Sequence, residues 1–408
     1  MNYVILGSSA TGLNAIREIR NHDKEGKITL VTKDVDVYSR CILHKYLSGE
    51  RSIPELSFVE EDFFDRYGVN LISGTSAEKL DPEKKEIVLS NGDTIHYDKV
   101  LIATGSRPIN PPVTHLNEAK NVISFRDLDD VEALKDALPE AKHIVIMGGG
   151  LVAIDVLSGL VDMGIQGIHL IEMQNRILPI QLDKRSSKTY EEEFEKRGVT
   201  FHLGVVAHEV ELDEDKNLSA VVLNDGTRID CDCLIVAAGV RANLEFLADV
   251  EIERTLRGIA IDDRGHTSIK DIYGGGDVTG FGPIWPVAVK NGIVAGANMA
   301  GGNLKMTDFF TSKSTMNYFG IPTMSLGFQA PVDETYTVEI QDDGVNYMKV
   351  AHKNGKVEQA IVQGDLSYVG ILLQLIKDEI DISKVKKPIF KLDYSDFFKT
   401  TEDYEFTF

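Results

Sequence analysis

Tyr3-Val4-Ile5-Leu6-Gly7-Ser8-Ser9-Ala10-Thr11-Gly12 stands at the head of the chain. A short apolar run of the buried, parallel-strand kind leads into a glycine-containing turn. Leu13, Ile16 and Ile19 then recur at helical spacing, and Ile28-Thr29-Leu30-Val31 reads as a second strand. Strand, tight turn, helix and strand make the start of a βαβ unit, and the turn is where a Rossmann domain holds its dinucleotide. In Gly7-x-Ser9-x-x-Gly12 the first glycine permits the turn and the last lets the helix pack closely on the strand. Ser9 fills the middle position, where a small residue lets the backbone approach a pyrophosphate at the helix N-terminus. Taken alone, this turn reads equally well as an ordinary strand-to-helix connection.

The pattern returns about 140 residues on, which changes that balance. His143-Ile144-Val145-Ile146-Met147 is a strand, Gly148-Gly149-Gly150 a turn, Leu151 to Met163 an apolar helix, and Gly167 to Ile171 the next strand. Gly148-x-Gly150-x-x-Ala153 is the second fingerprint. Glu172 closes the following strand, 22 residues after Gly150. An acid there bonds an adenosine ribose 2′-hydroxyl and repels a 2′-phosphate, so NADH is expected over NADPH. Two such units imply two nucleotides.

The 408 residues suffice for two or three domains. Three cysteines, Cys41, Cys231 and Cys233, exclude a disulfide framework and point to a reducing compartment, the cytoplasm. Met1 to Leu6 enters a strand without a charged leader segment, and no apolar stretch spans a bilayer. Asp plus Glu outnumber Lys plus Arg by 64 to 43, a formal charge of −21. That argues against nucleic acid and anionic membrane as partners, although Lys384-Val385-Lys386-Lys387 is a local basic run. Cys231-Asp232-Cys233 lacks a second pair to complete a metal site, and the ten histidines form no ligand motif, so no metal is expected.

A proline-rich crossing lies at 108–112, and a second near 250–258. Beyond Gly327 the texture changes: Thr335 to Ile340 and Tyr347 to Ala351 alternate as antiparallel strands, and Ile371 to Ile380 reads as an amphipathic helix. The expected fold is α/β, with two Rossmann-like domains and a C-terminal α+β domain. The first Rossmann domain is discontinuous, 1–112 and 251–324; the second covers 113–250, and the last domain 325–408. Asp396 to Phe408 is an acidic, aromatic tail.

The order of these motifs resembles the FAD-dependent pyridine nucleotide oxidoreductases of the glutathione-reductase type, closest to NADH:rubredoxin reductases, nitrite reductase flavin modules and NADH oxidases. Val100 to Pro108, containing Ala103-Thr104-Gly105-Ser106-Arg107, is similar to the family's turn out of the FAD domain, and Leu234 to Arg241, with Gly239, to its second copy. Ile272-Tyr273-Gly274-Gly275-Gly276-Asp277-Val278 resembles the late FAD motif, which makes Asp277 and Gly276 FAD contacts. Phe281 to Ala288 leads into a helix from Val289 to Met299 whose N-terminus the family aims at the flavin; a helix N-terminus stabilises an anion by up to about 2 kcal/mol. Val287 and Trp285 lie there, Trp285 beside the flavin or simply packed. Ala77, in Ser73-Gly74-Thr75-Ser76-Ala77, resembles the backbone contact to adenine. Asp34 is the carboxylate available for the FAD ribose, with Lys33 nearer the usual place.

Tyr38-Ser39-Arg40-Cys41-Ile42-Leu43-His44-Lys45 is similar to the Y-x-R-P-x-L-x-K of members without a redox disulfide, Cys41 taking the proline position. Members with a single redox cysteine carry it here, with a glycine eight residues on, as Gly49 is. The resemblance implies that Arg40 holds phosphate, that Lys45 sits near flavin N5, and that Lys45 pairs with Asp155 beside the nicotinamide. The histidine that accompanies a redox cysteine in the peroxidases is replaced by Ala10, and the C-x-x-x-x-C pair is absent. Cys41 is therefore read as a packed or modulatory thiol, with a redox role as the alternative. The implied reaction passes hydride from NADH to flavin N5 and electrons to a small carrier such as rubredoxin or to a small molecule. Two alternatives stay open: an NADH oxidase or disulfide or polysulfide reductase using Cys41, and a redox-switched partner-binding flavoprotein. The C-terminal domain would serve dimerisation or carrier docking.

Overall fold

The computed structural model describes residues 1–280, 282, 284–307, 313–327, 332–397, 399–403 and 405–407. Phe281 and Pro283 of the expected flavin-facing stretch, and Phe398, Tyr404 and Phe408 of the tail, lie outside the described residues. The chain divides into two compact units, Met1–Ile177 with Phe194–Phe309, and Leu178–Glu193 with Phe310–Phe408.

In the larger unit, Asn2–Leu6 is the middle strand of a five-stranded parallel sheet. The order is Ile272–Gly274, Lys99–Ile102, Asn2–Leu6, Lys27–Val31 and Val69–Ile72. A middle strand is covered on both faces, which is why it reads as an unbroken apolar run. Alternation along the strand builds two cores. Tyr3 and Ile5 pack with Leu13, Ile16, Ile19, Ala295 and Met299, from the helices Ala10–His22 and Trp285–Met299. Val4 and Leu6 point the other way, to Leu80, Ile87 and Leu89 of the antiparallel sheet Ala77–Asp81, Glu86–Leu89 and Thr94–His96. Each fully buried leucine or isoleucine stabilises the fold by roughly 1.5–3 kcal/mol.

The second sheet repeats the plan. Its order is Thr200–Leu203, His169–Glu172, Ile144–Met147, Cys233–Val236 and Val122–Ser124, every pair parallel. Val145, Met147, Ile171, Leu234 and Val236 share a core with Val210, Leu218, Val221 and Leu223 of a second antiparallel sheet. In both parallel sheets the chain steps outward on one side of the middle strand and then returns to the other. The crevice at the carboxyl end of the middle strand is thus a topological switch point, the place where open α/β sheets bind ligands. Ser106–Pro108 and Val240–Ala242, from the two crossing turns, pair as an antiparallel ribbon.

The helix expected from Val289 begins earlier, at Trp285, because Pro286 fits a first helical turn that needs no donor there. In the smaller unit five strands form an antiparallel sheet, ordered Lys313–Tyr318, Ile321–Gly327, Lys356–Gln363, Tyr347–Lys353 and Thr337–Asp342. Helix Val369–Lys377 lays Leu372, Leu375 and Ile376 into a core with Leu326, Val350 and Val362. Residues 178–193, from the middle of the chain, belong to this unit. The Tyr190 hydroxyl lies 2.6 Å from the Ile321 carbonyl and 2.7 Å from Thr323 Oγ1, and Tyr347 donates to Asp183 at 2.6 Å.

Candidate functional site

At the end of Asn2–Leu6 the chain turns at Gly7, with φ +114°. A Cβ there would collide with the Ala103 carbonyl, and one at Gly12 with the Gly7 carbonyl. Gly7 is therefore required by contact as well as by conformation, and Gly12 by contact alone. Ser9 has extended backbone, and helix Ala10–His22 follows with no side-chain cap and no acid in its first turn. Elsewhere the chain caps a helix fully: Asp127 and Asp130 form a reciprocal capping box at Leu128–Ala137. The N–H groups after Ser9 are left without a side-chain cap, an arrangement that favours an anion. The helix Trp285–Met299 closes it from the side. Cβ atoms at Gly292 and Gly296 would meet the carbonyls of Thr11 and Ala15, so the two helices touch backbone to backbone, and Thr11 Oγ1 donates to the Ala288 carbonyl at 2.9 Å.

Gly148 repeats Gly7. Its φ is +115°, and a Cβ would collide with the carbonyl of Ala237, the counterpart of Ala103. Gly150 is extended, and helix Leu151–Asp162 begins without a side-chain cap or a first-turn acid. Here a carboxylate closes the crevice. Glu172 is 7% exposed, accepting from Gly149 N at 2.6 Å and from Gln174 N at 2.7 Å. At the first turn the same places hold hydroxyls: Ser8 Oγ lies 2.8 Å from Thr32 Oγ1, which accepts from Asp34 N at 3.2 Å. Thr32, not Asp34, thus occupies the position that matches Glu172. Asp34 is engaged by Arg40 at 2.6 Å and by the Tyr38 hydroxyl at 3.1 Å, and Lys33 pairs with Asp127 at 2.7 Å.

Between the turns stands a charged bridge that the motif reading missed. Arg126 donates to Asp277 at 2.7 Å and to Ser106 Oγ at 2.9 Å, and Ser106 Oγ lies 2.9 Å from the same Asp277 oxygen. Gly276 N donates to Asn291 at 3.1 Å, and Gly276, at φ +76°, abuts Thr11. Asp277 thus stands beside the first turn, linked through Arg126 to the strand-to-helix turn at 125–127. Ser106 lies inside the quoted Thr104-Gly105-Ser106 turn, a usable signal. Arg126 carried none beyond its place before the Asp127 cap.

Arg40, His44, Phe125, Arg126, Val152 and Asp155 line one small cleft. Cys41 keeps an exposed edge, yet burial by the surrounding protein, and then the Asp155 carboxylate, push its thiol up to about 11. Burial, with Lys45 as a second cause, pushes His44 down to about 4. Lys45 is paired with Glu50 at 2.6 Å. Helix Leu43–Leu47 rests against Leu151–Asp162 at Gly159, where a Cβ would lie 2.9 Å from the His44 carbonyl.

The remaining candidates sit on several separate elements. Thr104 Oγ1 donates to Asn243 O at 3.2 Å, Gly105 has φ +68°, and Arg107 pairs with Glu245. Gly239 has φ +115° and accepts from Ile109 N at 3.1 Å. Ala77 opens the antiparallel strand of the first domain. Trp285 meets Phe58 edge-on at 4.7 Å, and Val287 is buried in the same first helical turn. Among the described residues no group of three or more His, Cys, Asp or Glu side chains is placed to hold a metal ion, and no helix is long and apolar enough to cross a membrane.

These residues fit two dinucleotides. Each turn is a cradle that a Cβ would fill, each leads to an uncapped helix N-terminus, and the second has a buried carboxylate for a ribose. Comparison with known proteins agrees. Residues 1–292 match the family model for pyridine nucleotide-disulphide oxidoreductase. The chain is 30% identical to the NADH-dependent phenylglyoxylate dehydrogenase subunit epsilon of Aromatoleum evansii, over 90% of this chain and 87% of that one. It is 27% identical to a Bacillus subtilis nitrite reductase [NAD(P)H], over 94% of this chain, but spans only 48% of that protein's length. The crystal structure of NADH:rubredoxin oxidoreductase from Clostridium acetobutylicum superposes with a TM-score of 0.76 at 25% identity, covering 95% of this chain and 97% of that one. The chain therefore belongs to the pyridine nucleotide-disulphide oxidoreductase family, as an oxidoreductase with FAD and NADH for its cofactors.

Proposed function

We infer that the chain oxidises NADH and delivers the two electrons to a small redox carrier such as rubredoxin. The observation that carries this reading is the doubled glycine turn in one compact unit, with a carboxylate at the second copy only. FAD, when bound, supplies an acceptor that takes two electrons together and releases them singly. The first turn, with Asp277 and Arg126, would hold it; residues 1–112 and 251–324 form that domain in this reading. The second turn, within 113–250, would hold NADH by its pyrophosphate on the helix after Gly150 and its ribose on Glu172. Arg40 and Arg126 supply positive charge in the cleft, while Asp155 and Val152 line the side facing the second turn. In this reading Lys45 and Trp285 would flank the bound flavin.

The state of the thiols supports this choice of acceptor. Cys231 and Cys233 are buried, and a Cys41 thiol raised to about 11 is protonated at neutral pH, hence a weak nucleophile. Electrons then leave without a thiol relay. Anaerobic stopped-flow mixing with NADH tests this: one equivalent is expected to bleach the flavin, followed by fast reoxidation with rubredoxin and slow reoxidation in air. Uptake of a second equivalent with a thiolate-to-flavin absorbance band would overturn it in favour of a Cys41-dependent oxidase or disulfide reductase. The exposure of Cys41, next to Arg40 of the cleft, is what keeps that second reading in view, and loss of turnover in Cys41→Ser with intact flavin reduction would establish it.

A further inference from the structure

Two of the ten histidines meet across neighbouring strands of the second parallel sheet. His169 opens the strand His169–Glu172, and His202 lies in Thr200–Leu203, the edge strand beside it. His169 Nδ1 lies 2.9 Å from His202 Nε2, and the two ring planes are within 20° of parallel. The contact is an N–H···N hydrogen bond, in which one neutral ring donates and the other accepts. Both rings are half-buried. The charged groups that act on the pair are His143, just ahead of strand Ile144–Met147, and Asp225, in the turn after Leu218–Leu223. Burial, followed by His202 and His143, holds His169 below the ordinary histidine value. Burial holds His202 below it too, against the pull of Asp225.

The pair lies on the two strands that carry and support Glu172. In their parallel register Ile171 stands opposite His202, and Glu172 opposite Leu203. Just beyond, Gly204 N donates to the carbonyls of Glu172 and Gln174, both at 2.9 Å, and at the other end Thr200 N donates to the Ile168 carbonyl at 2.9 Å. Thr200–Leu203 is the edge of the sheet, so on that side the backbone of Glu172 rests on this strand. Two apolar side chains would close the same gap without responding to acid. One added proton leaves the imidazole bridge standing but puts a charge on a half-buried ring. A second leaves two N–H groups facing each other, and the bridge breaks. The closed strand thus binds protons less readily than an opened one. Its stability is full above the ordinary histidine value of about 6.5 and falls as pH drops below it. We propose that His169 and His202 are positioning residues, a clasp that fixes Thr200–Leu203 against the strand of Glu172 at neutral pH and is released by acid, weakening the hold on the NADH ribose. This rests on the reading of the second turn as the NADH site.

The test uses the FAD-loaded full chain and ADP-ribose, which carries the pyrophosphate and adenosine ribose of NADH without its redox centre. Hydrogen exchange read by mass spectrometry follows the amides of 199–205, and calorimetry follows ADP-ribose. From pH 7.5 to pH 5.5, after correction for intrinsic exchange, protection of 199–205 is expected to fall about tenfold or more. ADP-ribose should bind about threefold or more weakly, while Lys27–Val31 of the first sheet keeps its protection within about twofold. His169→Asn with His202→Gln retains a neutral hydrogen bond between the strands and removes both titrating rings. Its protection and affinity should match the parent at pH 7.5 and stay within about twofold down to pH 5.5. Equal pH dependence in parent and variant, or parent protection that does not fall, overturns the clasp. Lost protection with unchanged ADP-ribose affinity overturns its link to the ribose. Both results leave the NADH site standing, whereas a parent that binds no ADP-ribose at any pH overturns the site and the clasp together. Nitrogen NMR of the parent's imidazoles checks the clasp without a variant: two rings that titrate separately at the ordinary value overturn it.

Discussion

The turn at Gly7 and the turn at Gly148 share a backbone and differ in what surrounds it. Their φ angles are +114° and +115°, each faces an alanine carbonyl on the neighbouring strand, and each feeds an uncapped helix. Around the second, Glu172 bonds the Gly149 amide; around the first, Ser8 and Thr32 exchange a hydroxyl hydrogen bond at the same place. Pyrophosphate binding rests on main-chain N–H groups and helix ends, which any sequence supplies once the glycines are in place. In the proposed reading, sugar recognition rests on one side chain, so it is free to differ between copies. Beside the first copy stand Asp277 and Arg126, brought together from distant parts of the chain.

The sharpest break of this parallel is a methyl group. Gly7→Ala and Gly148→Ala each force a Cβ onto a carbonyl at a left-handed φ, and each is expected to destabilise its domain by about 3 kcal/mol or more. The two should fail differently. Gly7→Ala is expected to purify with little flavin, while Gly148→Ala stays yellow but is no longer bleached by NADH. Identical phenotypes in absorbance and NADH titration would break the assignment of one nucleotide to each turn.

Next in size is Arg126→Gln. It leaves the Asp277 carboxylate without its cation, and loss of a charged hydrogen bond of this kind is worth about 1.5–3 kcal/mol. Flavin fluorescence titration of the apoprotein should show FAD bound some tenfold or more weakly, with the NADH side unaffected when FAD is saturating. Glu172→Gln should act on the other turn, raising KM for NADH about tenfold and narrowing the preference over NADPH. Unchanged coenzyme preference would remove Glu172 from ribose recognition.

Smaller effects probe the cleft between the turns. With its thiol at about 11 instead of the ordinary 9, Cys41 is the protonated species through neutral pH and gains thiolate only as pH climbs toward 11. Its alkylation by iodoacetamide at pH 8 should run roughly a hundredfold slower than that of an unburied cysteine. A fast reaction at pH 8 would show that NADH oxidation has a thiol available to it. Gly159→Ala presses helix Leu151–Asp162 against the His44 carbonyl, and a loss of about 1 kcal/mol, read as a Tm lower by a few degrees, is expected.

Much of this was legible from residues alone. The two parallel sheets were visible because their middle strands, Tyr3–Leu6 and Ile144–Met147, are covered on both faces and so carry no polar residue. Glu172 was legible because its spacing from the glycines is a property of one βαβ unit. Asp34 shows where that logic ended. A carboxylate three residues past the strand looked available for a ribose; Arg40 and Tyr38, brought close by the next turn, both bond it, which its place in the sequence does not reveal. Likewise Lys45 meets Glu50, five residues on, a local choice that a motif does not encode.

The sequence by itself determined the local geometry: which glycines must turn, which helices start uncapped, and which strand ends in an acid. These depend on neighbours a few residues apart, through φ preferences, side-chain volume and period. Tertiary structure alone decided the meeting of Arg126, Ser106 and Asp277, which are up to 171 positions apart, and the facing of Arg107 and Arg241 across the ribbon. It alone decided that 178–193 packs on the C-terminal sheet. Such contacts form when separately folded elements are brought together by burial, and burial is indifferent to order along the chain. A charged side chain therefore shows its partner only once the backbone has closed around it.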